Sequence, residues 1–181
     1  MKNIELIIPK LEEYFYEQKL ESEPKTMNYN AGYKVMYNGY HYDTGCIDFP
    51  KEKWQEVQNR RIKENRYFAY IKDKDLNKYV GYVNYQYDKD EDIYACGILI
   101  EDKYRGKGYS KPALKLLIKE ANKNNIKYLY DTFEKSREKA LKLFLDVGFE
   151  IYEKTTANKF NKEVEGVIIR IDTNKITNNT D

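Results

Sequence analysis

The stretch EDKYRGKGYSKPALKLL, Glu101 to Leu117, sets Arg105, two glycines and the lysines Lys103, Lys107 and Lys111 ahead of an apolar pattern at helical spacing. Such residues suit anion binding. Glycine permits a sharp turn and a close approach of backbone to ligand, and the unpaired N–H groups of a helix's first turn point at negative charge. Leu114, Leu117, Ile118 and Ala121 keep the i, i+3, i+4, i+7 spacing of a helix with one buried face. Pro112 fits the first turn, where an amide donor has no helical partner, and Ser110 offers its hydroxyl as a cap. Residue order excludes two phosphate-binding patterns. A P-loop needs Gly-Lys-Ser/Thr, but Lys107 precedes Gly108 and Tyr109 follows it; the dinucleotide fingerprint needs a third glycine where Lys111 stands. What remains is a pyrophosphate cradle made by Arg105, Gly106, Lys107, Gly108, Tyr109 and Ser110. On spacing alone, a solvent turn that leads into the helix is also compatible.

The order Arg-x-x-Gly-x-Gly/Ala between an apolar strand and an amphipathic helix resembles the acyl-CoA signature of the GNAT acetyltransferase superfamily. Arg105 and Gly108 match it, and Ser110 stands where Gly or Ala is usual. A second segment, REKALKLFLDVGF, resembles the family's Asn-x-x-Ala-x-x-x-Tyr-x-x-x-Gly-Phe pattern. Ala140, Gly148 and Phe149 match; Arg137 replaces the Asn and Phe144 the Tyr. The resemblance implies acetyl-CoA as co-substrate and direct attack by an amine, with no covalent enzyme intermediate. It lays pantetheine along Ile98, Leu99 and Ile100, where a backbone N–H polarises the acetyl carbonyl, and brings Arg137 and Phe144 to the cofactor. Gly97 marks a bulge in that strand. The family's Tyr often protonates the departing thiolate, and Phe144 has no proton to give. A thiol of pKa ~8.5 is a tolerable leaving group without that acid. The departures also leave open a module that keeps the fold and CoA but lacks turnover.

A base for the ammonium proton is sought on the same resemblance among Asp92 and Tyr94, upstream in the strand before the cradle, and Thr132 and Glu134, at the end of the following strand. His41 is the single histidine, with a side-chain type that titrates near pKa ~6.5. With Tyr37, Tyr40 and Tyr42 it lies in the segment expected beside the acceptor, where the rings form a wall suited to a cation. Nineteen tyrosines against seven phenylalanines mean that presence alone marks no Tyr as catalytic. The triplet Asp43-Thr44-Gly45 matches the aspartic-protease sequence, but that chemistry needs two such carboxylates and the chain has one copy.

These groups need positioning elements. IELII, ended by Pro9, reads as a strand, and Leu11, Tyr14 and Phe15 as a short helix before Pro24. Residues 28–50 hold no period and read as a loop or irregular hairpin, functional at that length. Pro50 opens a helix with Trp54, Val57 and Ile62 on one face. RYFAYIKD, KYVGYVNYQY and DIYACGILI form an antiparallel meander, the last most apolar and therefore central. After the cradle helix come strand IKYLYDTF, a helix with Ala140, Leu143, Phe144 and Val147 on one stripe and Gly148 at its end, and strands FEIYEK and GVIIRID. This is an α/β order. It matches the GNAT architecture: a mixed, mainly antiparallel central sheet of six to seven strands flanked by about four helices. Residues 1–172 form a single domain and 173–181 a polar tail.

Composition narrows the class. Thirty-two basic residues against 30 acidic give a formal charge of +2, too balanced for a nucleic-acid coat. Cys46 and Cys96 lack paired metal spacing and read as free thiols in a reducing compartment, with no metal expected. No apolar run reaches the length of a membrane span, and the N-terminus turns acidic too soon for a signal peptide. The expectation is a cytoplasmic enzyme, monomer or homodimer, acting on a small-molecule or peptide amine whose contacts lie in residues 28–65. An antibiotic, a polyamine, an amino acid and a protein N-terminus all stay open as acceptors.

Overall fold

The computed structural model describes residues 2–35 and 37–177. Seven strands form one sheet: β1 (Ile4–Ile7), β2 (Tyr67–Asp73), β3 (Lys78–Asp88), β4 (Ile93–Ile100), β5 (Tyr128–Glu134), β6 (Glu150–Lys159) and β7 (Lys162–Asp172). Their spatial order is β1-β2-β3-β4-β5-β7-β6, which puts β4 at the centre as its apolar sequence predicts. All neighbours are antiparallel except β4 and β5. The helices are α1 (Phe15–Glu21), α2 (Pro24–Met27), α3 (Lys51–Lys63), α4 (Ser110–Lys123), α5 (Glu138–Val147) and α6 (Asn174–Thr177). The expected mixed, mainly antiparallel sheet is therefore present. No helix among the described residues is long and apolar enough to cross a membrane.

The predicted stripe of α4 is fully buried at Leu114, Leu117, Ile118 and Ala121, packed with Val80, Leu129 and Ile169 of the sheet. Phe144 and Val147 of α5 join the same core, and Ala140 and Leu143 pack against it. Gly148 ends α5 at φ 120°, and the Phe149 amide donates back to the Phe144 carbonyl at 3.1 Å, the helix ending a glycine allows. On the opposite sheet face Tyr16 and Leu20 of α1 and Met27 of α2 pack with Phe68, Tyr70, Tyr82 and Leu99.

Two elements differ from expectation. In α3, Trp54 is buried and Val57 packs beside it, but Ile62 is exposed. Arg61 turns inward instead. Its two terminal nitrogens donate to the Glu17 carboxylate at 2.9 and 2.6 Å, and its guanidinium sits 3.7 Å from the Phe68 ring centroid. A buried carboxylate needs a paired cation, a requirement that apolar spacing does not carry. The last two strands are also longer than expected, forming a hairpin over 150–172. Its turn is Phe160-Asn161, both at positive φ (49° and 60°), the geometry that follows strand twist. Neither is glycine, so the usual signal of such a turn is missing.

The 28–50 segment is irregular, as expected, with isolated bridges Tyr33↔Lys159 and Tyr40↔Ile47. It is clamped to the hairpin tip, where the Phe160 amide donates to the Gly32 carbonyl at 2.7 Å. The polar stretch after 172 begins with buried Thr173, whose hydroxyl donates to the Ile126 carbonyl at 2.7 Å, and continues into α6; residues 178–181 lie outside the described ones.

One close approach in this frame is testable. A Cβ built on Gly81 in β3 would stand 2.0 Å from the Leu99 carbonyl oxygen of β4. Gly81→Ala should destabilise the protein by about 1–3 kcal/mol as the two strands are forced apart, seen as a lower denaturant midpoint at unchanged slope.

Candidate active site

The parallel neighbours β4 and β5 share one registered pair, Ala95↔Tyr130. Beyond it Gly97–Ile100 of β4 and 131–134 of β5 border a cavity of about 1000 Å³. The Glu101 amide donates to the Val80 carbonyl at 3.0 Å. Strand alternation therefore aims the amides of Leu99 and Gly97 at β3, and those of Ile98 and Ile100 at the cleft. The bulge expected at Gly97 is not there: the β3–β4 ladder keeps one register from Gly81↔Ile100 to Asp88↔Ile93. Inward donors arise because β5 leaves, not because β4 kinks. Gly97 serves Asn84 instead, whose side chain comes within 3.4 Å of the place a Cβ would take.

At the cavity's other end Gly106 and Gly108 hold φ of 71° and 85°. A Cβ on either would meet nothing within 4 Å, so these glycines serve backbone conformation and open approach rather than packing. The residues fit a pyrophosphate laid against the start of α4. Ser110 is the first helical residue and not the cap; Tyr109 holds that position and makes no side-chain cap bond, which leaves first-turn amides for an anion. Tyr109 anchors the turn, its ring buried and its hydroxyl donating to Asp73 at 2.6 Å. Arg105 braces it: Nε donates to the Ile100 carbonyl at 3.2 Å, and the terminal nitrogens to the carbonyls of Lys25 (3.0 Å) and Thr26 (2.5 Å). Lys103 pairs with Glu101 at 3.0 Å and Lys111 with Asp146 at 3.5 Å. Lys107 lies over the Tyr104 ring, 5.8 Å from its centroid, and has no carboxylate partner among the described residues.

Phe144 is buried beside Phe133 and Phe149, at ring separations of 4.8 and 5.0 Å, and its edge lines the cavity. Arg137 precedes α5 with its guanidinium between the rings of Tyr29 and Phe133, 5.2 and 5.3 Å from their centroids.

The four residues sought as bases separate. Asp92 is exposed in the β3–β4 turn and accepts the Tyr87 hydroxyl; Tyr94 packs with Tyr85 and Tyr87; neither lines the cavity. Thr132 and Glu134 do line it. Glu134, however, is bound by Lys159 (2.7 Å), Ser136 (2.5 Å) and Tyr33 (3.2 Å), and these partners, Lys159 first, hold its carboxyl below the ordinary range. The residue that sequence reasoning missed is Asp131. It lines the cavity where β4 and β5 part, on the same face as buried Leu129 and Phe133. Burial raises its carboxyl from 3.8 to about 7, against the Thr132 amide, which donates to it at 2.7 Å, and the Arg137 charge. Its one signal in sequence is an Asp inside an otherwise strand-forming run.

A second cavity of about 490 Å³ meets the first, and Tyr29, Asn30, Tyr82 and Asn84 line both. Burial pushes the Tyr29 hydroxyl up to about 12, with the charge of Glu21 the next cause, and burial likewise raises Tyr82 well above the ordinary tyrosine range. Of the aromatic wall expected near the acceptor, only Tyr37 lines this space. Tyr40 is turned to the Asn30 carbonyl at 2.6 Å, Tyr42 packs on Phe160, and His41 is exposed with Nε2 2.8 Å from Asp48.

The family model described as the acetyltransferase (GNAT) family matches residues 33–149. The chain belongs to this family. Solved GNAT structures share its fold at low identity. Spermidine N-acetyltransferase from Vibrio cholerae, in complex with CoA and spermine, superposes with a TM-score of 0.76 at 14% identity, covering 96% of this chain and 98% of that one. An N-acetyltransferase from Staphylococcus aureus Mu50 gives 0.71 at 15% identity, covering 94% and 99%. No curated protein matches the sequence.

The cradle predicts ligand-linked stability. Acetyl-CoA at a hundredfold over its Kd should stabilise the wild type by about 2.7 kcal/mol, read as a rise in Tm, and Gly108→Glu should abolish the rise because its carboxylate enters the anion's space. Equal shifts in both proteins would place the cofactor elsewhere.

Proposed function

We propose that this protein is an N-acetyltransferase that moves an acetyl group from acetyl-CoA directly to a cationic amine. The observation that carries the reading is Asp131, a half-buried carboxylate with its pKa raised to about 7, which lines the cradle's cavity where β4 and β5 part. The CoA pyrophosphate lies on the turn from Gly106 to Ser110, and the thioester reaches the parting of β4 and β5. The Ile98 amide stabilises the oxyanion. Asp131 takes a proton from the incoming ammonium, the amine nitrogen bonds to the carbonyl carbon, and the carbon–sulfur bond breaks. A base near pKa 7 suits this task better than an ordinary exposed carboxylate. Phe144 donates nothing to the thiolate, so the proton comes from water or from Tyr29 or Tyr82, whose hydroxyls stay protonated well above neutral pH. The neighbour from Vibrio cholerae, solved with CoA and spermine, supports an amine acceptor.

Acetylation of an amine panel, followed by thiol release, tests the reading; CoA binding without transfer to any amine would leave a binding module. Asp131→Asn should lower kcat/KM roughly a hundred- to ten-thousandfold and remove the rise of rate with pH through about 7. Stability moves the other way. Because folding raises this pKa, the wild type is most favoured below 3.8 and loses stability as pH rises through about 7. The Asn variant escapes that loss and should melt no lower than wild type above neutral pH.

A further inference from the structure

Glu21, at the end of α1, is more than nine-tenths buried, with a relative exposure of 9%, and lines the second cavity. Among the described residues no hydrogen bond or ion pair reaches its carboxylate. The neighbouring Glu17 is different, held by both terminal nitrogens of Arg61. Arg61 is thereby engaged, Arg66 is paired with Glu64, and Arg60, exposed on the wall of the same cavity, has no carboxylate partner among the described residues. The groups acting on Glu21 are Glu17, which repels its charge, and Arg61, which partly offsets the repulsion, while its own charge is felt at Tyr29, Tyr37 and Tyr82. A buried carboxyl without a partner costs stability unless something binds it or it takes a proton. Burial, with Glu17 next, pushes it well above the ordinary carboxylate range. Among the described residues no cation is within hydrogen-bond or ion-pair distance of this carboxylate, which lines an open cavity.

Resting on the acetyltransferase reading, we propose that Glu21 binds a second cationic nitrogen of the acceptor, so that the preferred substrate is a diamine with one amine at Asp131 and another at Glu21. Tyr29 and Tyr82 line both cavities and offer aromatic rings to the intervening chain and its charges, and the charges of both carboxylates act on the Tyr29 hydroxyl. Binding the second ammonium favours the ionised form of Glu21, which burial and Glu17 disfavour, so the diamine promotes proton release from this group and a monoamine does not.

The test compares diaminobutane with n-butylamine on wild type and Glu21→Gln, by acetylation kinetics and by calorimetry of the CoA-bound protein in buffers of different ionisation enthalpy. The wild type should favour the diamine by about ten- to a hundredfold in KM and Kd, with extra proton release. Glu21→Gln should lose that preference and the extra release while keeping its rate on the monoamine, and should melt no lower than wild type, because it removes an unpaired buried acid. Equal handling of both amines by the wild type overturns the subsite while leaving transfer intact. A preference that survives in Glu21→Gln also overturns it. Diamine-selective binding that depends on Glu21 but leads to no acetyl transfer would uphold the subsite and sink the enzymatic reading.

Discussion

The whole site depends on one interrupted contact, the seam between β4 and β5. Two parallel strands in the middle of a sheet normally share their backbone groups along their length, because an unpaired buried N–H or C=O is costly. Here they share a single registered pair. The parting turns two strand edges into the walls of a cavity and aims the amides of Ile98 and Ile100 into it, while the unbroken β3–β4 ladder keeps β4 rigid. The glycine turn before α4 and Asp131 line that cavity, and the second cavity joins it at Tyr29, Asn30, Tyr82 and Asn84.

Holding such a seam open needs support from outside the sheet. Arg105 ties the end of β4 to the carbonyls of α2, and buried Glu101, directly after β4, receives Lys19, Lys103 and the Tyr16 hydroxyl. The Glu17–Arg61 pair joins α1 to α3 across the same face. Glu101 and the Glu17–Arg61 pair are largely buried, where breaking one partner leaves a charge unsatisfied. The motif arginine thus acts as a structural brace for the loop that carries the glycines.

Local signals made much of this legible in sequence. The glycines of the cradle, the stripe of α4, Gly148 and the apolar β4 are one-dimensional patterns, and each sits where its pattern places it. Asp131 was hidden because its raised pKa comes from burial that the fold creates, which a local pattern does not carry. The inward turn of Arg61 was hidden for a related reason: its partner Glu17 is on another helix, and helical periodicity ranked Ile62 as the buried residue. Asp92 and Tyr94 drew attention by strand position, yet their side chains engage Tyr87 and its neighbours in place of the cavity.

The clamp between Gly32 and Phe160 has a consequence for how such a protein changes over time. A Cβ on Gly32 would stand 2.5 Å from the Phe160 ring, and next to it Lys159 reaches both the Tyr33 bridge and Glu134. The irregular segment that walls the second cavity is therefore not an independent module. A change in that segment has to be matched in the distant C-terminal hairpin, so that the two vary as one unit split across the chain.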